Sequence, residues 1–404
     1  MRRAAIVAPI RTAVGKYGGA LKSLSAGDLG AVIIGALMER TGIDPERIED
    51  VVFSQGYGNG EAPCIGRWSA LAAGLPEAVP GVQLDRRCGS GLQAVIDAAM
   101  RIQTGAADVV IAGGVESMSN VEYYSIDHRW GARSGSTTFH DRLTRGRVMS
   151  QPIERFGVIS GMIETANNLA KDYAISREAC DEYAAMSHQR AAAAWAEGKF
   201  ADELVPVPVP QRKGDPVIFA QDEGIRADAT PESLAQLKPI EKGGVVTAGN
   251  ASQQNDAAAA CLVVAEDKLA ELGLQPIGFL HSWAASGCDP SRMGIGPVPA
   301  AARLFARNGL APDDMDLIEL NEAFAPQVLA CLKAWGWSTD DSRHGKLNVN
   351  GSGISLGHPI GATGAILVGT ALDELERTGG RYGLITMCAA GGMAPAIIIE
   401  RVAA

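Results

Sequence analysis

Apolar positions along the chain switch between a helical and a strand-like spacing, and the switching repeats. Ala31 to Met38 form an apolar helical run, followed by Gly42, Ile43, Asp44, Pro45, Glu46 and Arg47 and then the strand-like Val51-Val52-Phe53. Shifted by 267 residues, Ala302 to Ala306 lead into Gly309, Leu310, Ala311, Pro312, Asp313 and Asp314 and then Leu317-Ile318-Glu319-Leu320. Helix, glycine stop, turn and strand are thus written twice. The echo continues: a strand-like Val82-Gln83-Leu84 leads to Cys88-Gly89-Ser90-Gly91-Leu92 and a helix through Met100, while its strand-like counterpart Leu347-Asn348-Val349 leads to Asn350-Gly351-Ser352-Gly353-Ile354 and a helix over Ile366 to Leu375. Each helix stops near a glycine, Gly105 or Gly379, before a buried-type strand, Val109 to Ala112 or Leu384 to Met387. Strands alternating with helices imply mostly parallel sheets covered on both faces, and the repetition implies an α/β protein of two pseudo-symmetric halves. The opening strand is expected over Ala4 to Val7, ending as it meets Pro9.

An insertion of different character separates the copies, roughly over 121–245. Residues 128–155 hold six arginines (Arg129, Arg133, Arg142, Arg145, Arg147, Arg155) among Gly, Ser and Thr, an expected extended and irregular excursion. It reads either as a solvated surface or as an anion-binding or subunit-contacting loop. Residues 160–198 are Ala-rich and expected to be helical, and Val205-Pro206-Val207-Pro208-Val209-Pro210 must be extended.

Composition narrows the function. The chain has 404 residues, 47% hydrophobic and 20% charged, ample apolar material for a buried core. Net charge of −10 argues against nucleic acid and anionic membranes as partners. No apolar run approaches the roughly 18–20 residues of a membrane span, and no signal peptide is expected at the N-terminus. Seven scattered cysteines without a CxxC pair point to reduced thiols in a cytoplasmic setting and to no metal site. Glycine is in excess, at 48 residues, and eleven of these fall in the 42 positions from Gly351 to Gly392.

Three motifs compete for the chemistry. Gly353-Ile354-Ser355-Leu356-Gly357 matches a nucleophile elbow, yet the only later histidine is His358, three residues on. Gly89-Ser90-Gly91-Leu92-Gln93-Ala94, with Glu116 as an acid downstream, matches a dinucleotide fingerprint, but Asp85 to Cys88 separate the strand from the first glycine. The third reading takes Cys88 as a nucleophile whose thiolate is favoured at the start of a helix. His358, between Gly357 and Pro359, suits a positioned base. Cys388, before Ala389-Ala390-Gly391-Gly392, lies where backbone amides can approach a substrate, and Asn321-Glu322-Ala323-Phe324 closes the repeated strand at the end where such sheets bind ligands. Cys64, Cys180, Cys261, Cys288 and Cys331 lack such flanks and are expected to be core residues.

Taken in order, these segments resemble the thiolase family from Ala4 to Val402. Ile10 to Lys16, Cys88-Gly89-Ser90-Gly91-Leu92, Gly113-Gly114-Val115-Glu116-Ser117-Met118-Ser119, Asn321-Glu322-Ala323-Phe324, Gly357-His358-Pro359 and Cys388 with its following glycines carry the resemblance. It implies a thiolase-like fold, two pseudo-symmetric α/β halves packed in αβαβα layers with an inserted loop domain. The division is then 1–120 for the first half with the nucleophile, 121–245 for the insertion that contacts coenzyme A and other subunits, 246–275 for the return of the first half, and 276–404 for the second half.

The resemblance also implies a two-step acyl transfer. Cys88 gives its proton to His358 and becomes acylated; Cys388 takes the α-proton of acetyl-CoA for Claisen condensation or acts as acid in thiolysis. Asn321, through a water, and His358 form one oxyanion hole, and the N–H groups of Cys88 and Ala390 the other. Arg226, Ser233, Ala248 and Ser252 match positions lining coenzyme A, and Met162, Met293 and Phe324 match the acyl pocket. Coenzyme A and acetyl-CoA enter as substrates, with no permanently bound cofactor and no metal, in a homodimer or homotetramer. The leading expectation is an acetyl-CoA C-acetyltransferase. Because Gly161 stands where short-chain members often have His, a degradative 3-ketoacyl-CoA or 3-oxoadipyl-CoA thiolase is the alternative. A non-catalytic acyl-CoA or lipid carrier and a nicotinamide-dependent oxidoreductase are the readings from other classes.

Overall fold

One continuous mixed sheet runs through both halves. The computed structural model describes residues 2–338 and 341–402. Its main strands are β1 (Ala4–Thr12), β2 (Asp50–Ser54), β3 (Gly81–Leu84), β4 (Val109–Ser117), β5 (Asn255–Ala265), β6 (Gly278–Gly287), β7 (Leu317–Leu320), β8 (Tyr382–Thr386) and β9 (Met393–Arg401), in the spatial order β7-β8-β9-β6-β1-β5-β4-β2-β3. The two halves meet where β1 and β6 pair antiparallel, Ala5 opposite Phe279. Outward from that seam, β5, β4 and β2 on one side mirror β9, β8 and β7 on the other.

The expectation of mostly parallel sheets is corrected. Among these main strands β2 with β3, β2 with β4 and β7 with β8 pair parallel, whereas β5 and β9 each return antiparallel beside the last parallel strand of their half. Two strand predictions also change. β1 continues past Pro9 to Thr12, because a register shift between Val7 and Ile10, with Ala8 at φ 46°, absorbs the residue that cannot donate. The expected strand at 347–349 reduces to a bridge between Ile318 and Leu347. Asn348 takes φ 46°, and its side-chain amide, rather than its backbone, accepts from Leu320 N at 2.9 Å and donates to Leu320 O at 2.8 Å.

Side-chain alternation along these strands builds five layers. Ala5, Val7, Leu262 and Val264 face an outer core containing Leu29, Ile33 and Leu37 of helix α1 (Ala26–Thr41). Their neighbours Ala4, Ile6, Cys261 and Val263 face a middle core shared with Ile385, Ile397 and Ile399 of the other half. Leu384, Ala396 and Ile398 face the second outer core, with Leu304 and Val328. Each fully buried Leu or Ile stabilises by about 1.5–3 kcal/mol, so a one-residue slip of a strand would reverse both faces at once.

The middle layer is formed by α2 (Ser90–Thr104) and α3 (Ile360–Thr378), one from each half. Their starts cross with backbones in contact: a Cβ on Gly364 would lie 2.0 Å from Leu92 N, and one on Gly91 would lie 2.9 Å from Gly361 O. Glycine stops are realised in both copies, with Gly42, Gly105, Gly309 and Gly379 all left-handed caps at φ of 61° to 75°.

Within the insertion, the excursion over 128–155 is less irregular than expected. Asp141 caps a short helix at Arg142–Val148 through Leu143 N at 2.9 Å, and a second short helix spans Ile153–Phe156. The Ala-rich stretch forms two helices, Met162–Asp172 and Arg177–Ala196, and the Pro-alternating stretch is extended, with Leu204–Val205 beside β1. Buried Arg11 locks the insertion to the core, bonding Glu203 at 2.5 Å and both oxygens of Asp222 at 2.8 and 3.0 Å.

The glycine crossing is directly testable by urea unfolding. Gly364→Ala is expected to lower stability by at least about 1–3 kcal/mol, because the added Cβ meets backbone that no rotamer change can move. Gly35→Ala, in α1 with nothing within 4 Å of the new Cβ, is the control and is expected to be neutral or slightly stabilising. Equal urea midpoints for Gly364→Ala and wild type would show that the crossing tolerates separation.

Candidate active site

The glycine crossing brings the loop before α2 against the loop before α3. Asp85 to Gly89 turn tightly, with Asp85 Oδ1 accepting Arg87 N at 2.7 Å and Arg87 held at φ 50°. The Arg87 guanidinium donates to Gly56 O at 2.7 Å and to Gly146 O at 3.2 Å, which pins this uncommon conformation beside the candidate nucleophile. Gly89 is the N-cap of α2, so Cys88 lies just outside the first turn. Its thiol is buried and within reach of two N–H groups, those of Ala390 and of Cys88 itself.

The expectation that this position favours a thiolate is corrected. Burial raises the Cys88 thiol above its ordinary range, and the Arg87 charge and the two N–H groups only partly offset it. His358 is also kept neutral, its pKa lowered to about 4 by burial. Its backbone N–H donates to Asn255 Oδ1 at 2.8 Å, and Gly357 is required there because a Cβ would come within 2.7 Å of that same oxygen. His358 Nδ1 lies 2.8 Å from Thr363 Oγ1, whose hydroxyl donates to Pro359 O at 3.0 Å. The single hydroxyl proton being committed, Nδ1 carries the imidazole proton and Nε2 presents a lone pair, the tautomer a base needs. Among the described residues Nε2 has no partner.

Cys388 follows β8 at the start of a tight turn in which Ala389 N donates to Met393 O at 2.7 Å. Gly391 and Gly392 take φ 87° and 76°, and a Cβ on Gly392 would lie 2.3 Å from Cys288 O. The Cys388 thiol is buried among Met293, Ala323 and Phe324, and burial first, then the neighbouring Cys88, Cys331 and Cys288 thiols, push it well above its ordinary range. Asn321 is buried, and among the described residues both its side-chain polar atoms are free of partners. Its neighbour Glu322 is fixed by Tyr183 at 2.9 Å, Ser187 at 2.6 Å and Asn348 at 3.2 Å, so the insertion positions the Asn321 loop.

A cavity of 530 Å³ opens onto this centre. Of the residues picked out from sequence, Cys88, His358, Met162, Met293, Phe324, Ala248 and Ser252 line it. Cys388 lies against its wall in contact with Met293 and Phe324, and Ala390 faces Cys88 through its N–H. Arg226 and Ser233 are not on the cavity wall; both are exposed, and the Ser233 hydroxyl is engaged with Thr230 N and O in a helix cap. Thus Cys88 from the first half and His358 from the second share one wall, with the second thiol behind it.

Comparison with known proteins decides the family. The model for the Thiolase, N-terminal domain, matches residues 4–267, and that for the Thiolase, C-terminal domain, matches residues 274–401. The chain is 45% identical over 399 residues to an acetyl-CoA acetyltransferase of Chromobacterium violaceum, covering 98% of this chain and 99% of that one. It is 44% identical over 405 residues to a beta-ketoadipyl-CoA thiolase of Acinetobacter baylyi, covering all of both. The crystal structure of the Bacillus anthracis acetyl-CoA acetyltransferase superposes with a TM-score of 0.94 at 40% identity, covering 100% of this chain and 99% of that one. Human mitochondrial 3-ketoacyl-CoA thiolase in complex with CoA superposes with a TM-score of 0.92 at 37% identity, covering 99% and 98%.

The chain belongs to the thiolase family. It is an acyltransferase, and the competing motifs have structural roles in this thiolase. Glu116, the would-be ribose acid, is buried and accepts from Gly56 N, Tyr57 N and Gly361 N at 2.8 to 3.2 Å, tying the halves together. Burial raises its pKa to about 7. Ser355, the would-be elbow nucleophile, is buried and bonded to Ser187 Oγ at 2.8 Å. Among the remaining cysteines, Cys180, Cys261 and Cys331 are buried as expected, whereas Cys64 is exposed at the cap of the helix Ile65–Ala72 and Cys288 is half-buried. Sequence reasoning missed Thr363 and Asn255. Thr363, one turn past His358 on a helix that starts there, carried a usable signal; Asn255, over a hundred residues away, carried none.

Alkylation of Cys88 by iodoacetamide reads out this electrostatic arrangement. The rate is expected to rise with a midpoint above the ordinary thiol value, with no inflection between pH 6 and 7, because His358 is already neutral there. A thiolate plateau at neutral pH would show a thiolate–imidazolium pair and contradict the neutral resting state.

Proposed function

We propose that this thiolase is an acetyl-CoA C-acetyltransferase, interconverting two acetyl-CoA with acetoacetyl-CoA and CoA. The observation that carries the reading is Cys88 and His358 on one cavity wall with the Cys388 thiol buried behind it. His358 Nε2 takes the Cys88 proton as sulfur attacks the thioester carbonyl, and the developing oxyanion is held by donors of the site. CoA leaves as a thiol on taking the Cys388 proton, so an acyl-enzyme remains with Cys388 as a thiolate and His358 protonated. The Cys388 thiolate removes an α-proton from the second acetyl-CoA, the resulting carbanion attacks the acyl carbonyl to release acetoacetyl-CoA, and the expelled Cys88 thiolate regains its proton from His358. The N–H groups of Cys88 and Ala390, already directed at the Cys88 sulfur, suit one oxyanion hole. Asn321 through a water, with His358 Nε2 once it carries the proton, suits the other, since among the described residues these side-chain atoms are free of partners. Coenzyme A is a substrate here, passing Ser252 and Ala248 toward Arg226 and Ser233, while Met162, Met293 and Phe324 wall the acyl group.

A second reading, thiolysis of longer 3-oxoacyl-CoA, draws support from Gly161, which lines the cavity with open space where a side chain would stand. The name of the Acinetobacter baylyi relative fits it as well. For assembly we propose a homodimer or homotetramer. The excursion exposes Trp130 at 95% and Phe139 at 68%, and Tyr123 just before it is exposed at 66%, more apolar surface than a solvated loop needs. We propose a cytoplasmic site of action; among the described residues no helix is long and apolar enough to cross a membrane.

Initial rates of thiolysis test the reading. Wild type is expected to cleave acetoacetyl-CoA faster than 3-oxohexanoyl-CoA, with Cys88→Ser lowering the rate by more than about a thousandfold and Cys388→Ala by about a hundred- to ten-thousandfold. Full activity in Cys88→Ser would overturn the mechanism, and a strong preference for 3-oxohexanoyl-CoA would replace the short-chain assignment with the second reading.

A further inference from the structure

The cavity contains a cation that the acyl transfer leaves without a task. Arg147 stands on the last turn of the helix Arg142–Val148, half-buried, and lines the same wall as Cys88 and Thr144. Its guanidinium lies beside the Tyr57 hydroxyl and within electrostatic reach of the Cys88 sulfur. Among the described residues Arg142 pairs with Glu122 and Arg87 with Asp85, whereas Arg147 forms no ion pair. The surrounding wall is largely apolar, including Met118, Met162 and Ile360. Glu241, the carboxylate on the cavity wall, is bonded to Asn167 at 2.8 Å and Ser160 at 3.3 Å rather than to Arg147.

A cation facing an apolar wall without a counter-charge is costly unless a ligand brings one. Coenzyme A carries phosphates, but covalent geometry places them on the order of 15 Å from its sulfur, and that sulfur must sit at Cys88. An anion close to both Cys88 and Arg147 therefore belongs to the acyl group. A guanidinium recognises a carboxylate best, through two parallel N–H···O bonds. Resting on the C-acyltransferase reading above, we infer that Arg147 is a specificity residue that binds the terminal carboxylate of an acyl group, so that the enzyme also cleaves 3-oxo dicarboxylic acyl-CoA thioesters. Gly161 supplies the room for the longer chain. The bonds made and broken are those of ordinary thiolysis; Arg147 adds a contact at the far end of the acyl group and takes no proton.

Two six-carbon substrates isolate that contact: 3-oxoadipyl-CoA ends in a carboxylate where 3-oxohexanoyl-CoA ends in a methyl group. The ratio of their kcat/KM values does not depend on the fraction of folded enzyme. Wild type is expected to favour 3-oxoadipyl-CoA at least tenfold, Arg147→Gln to bring the ratio to about one, and Arg147→Lys to keep most of the preference. A wild-type ratio of one or less would overturn the inference. So would a Gln variant that slows both substrates by the same factor, since Arg147 would then act on Cys88 or on coenzyme A. Wild type that cleaves neither of these nor acetoacetyl-CoA would instead overturn the C-acyltransferase reading beneath it.

Discussion

The contact between Gly91 and Gly364 sets how near the two halves can come. With a Cβ on either residue the helices α2 and α3 would have to move apart, since the atoms they meet are backbone. Everything in the site scales with that separation. Cys88 lies just before the start of one helix and His358 just before the start of the other, so the crossing places a nucleophile from the first copy of the repeat beside a base from the second. Glu116 reinforces the same junction by accepting N–H groups from both sides, including Gly361 at the N-terminus of α3, where a negative charge is favoured.

Burial that permits this closeness also governs the charges. Both thiols are held as neutral groups and the imidazole as a neutral base, so no ion pair is stored in the resting site. Charge appears only as a thioester carbonyl is attacked, where preformed donors are worth more than in water. Thr363 matters for the same reason: with Nδ1 bonded to it, the basic nitrogen is the one without a protein partner. The glycines clustered between Gly351 and Gly392 serve this dry, close-packed centre, at the helix crossing, beside Asn255 and in the turn after Cys388.

Much of this was legible in the residues themselves. Gly42 and Gly309 stop equivalent helices before equivalent strands, and local spacing suffices to read such caps. Contiguous loops such as Gly357-His358-Pro359 likewise carry their signal in a few residues. What escaped depends on partners distant in the chain. Asn348 looked like a strand residue because its side-chain substitution for a backbone pair is invisible without Leu320 opposite. The helix at Arg142–Val148 was hidden by charge, which resembles a solvated loop until Asp141 is seen to cap it. A raised Cys88 thiol could not be foreseen, since a helix start favours thiolate locally while the burial that outweighs it arises only in the assembled fold.

The decisive measurement is the mass of the intact protein after brief mixing with acetyl-CoA. If the crossing delivers His358 to Cys88, wild type gains one acetyl group, mapped by proteolysis to Cys88, and His358→Ala gains it far more slowly while Cys388→Ala still gains it. An acetyl group on another residue, or equal acylation rates in wild type and His358→Ala, would contradict the pairing of the two halves at this site.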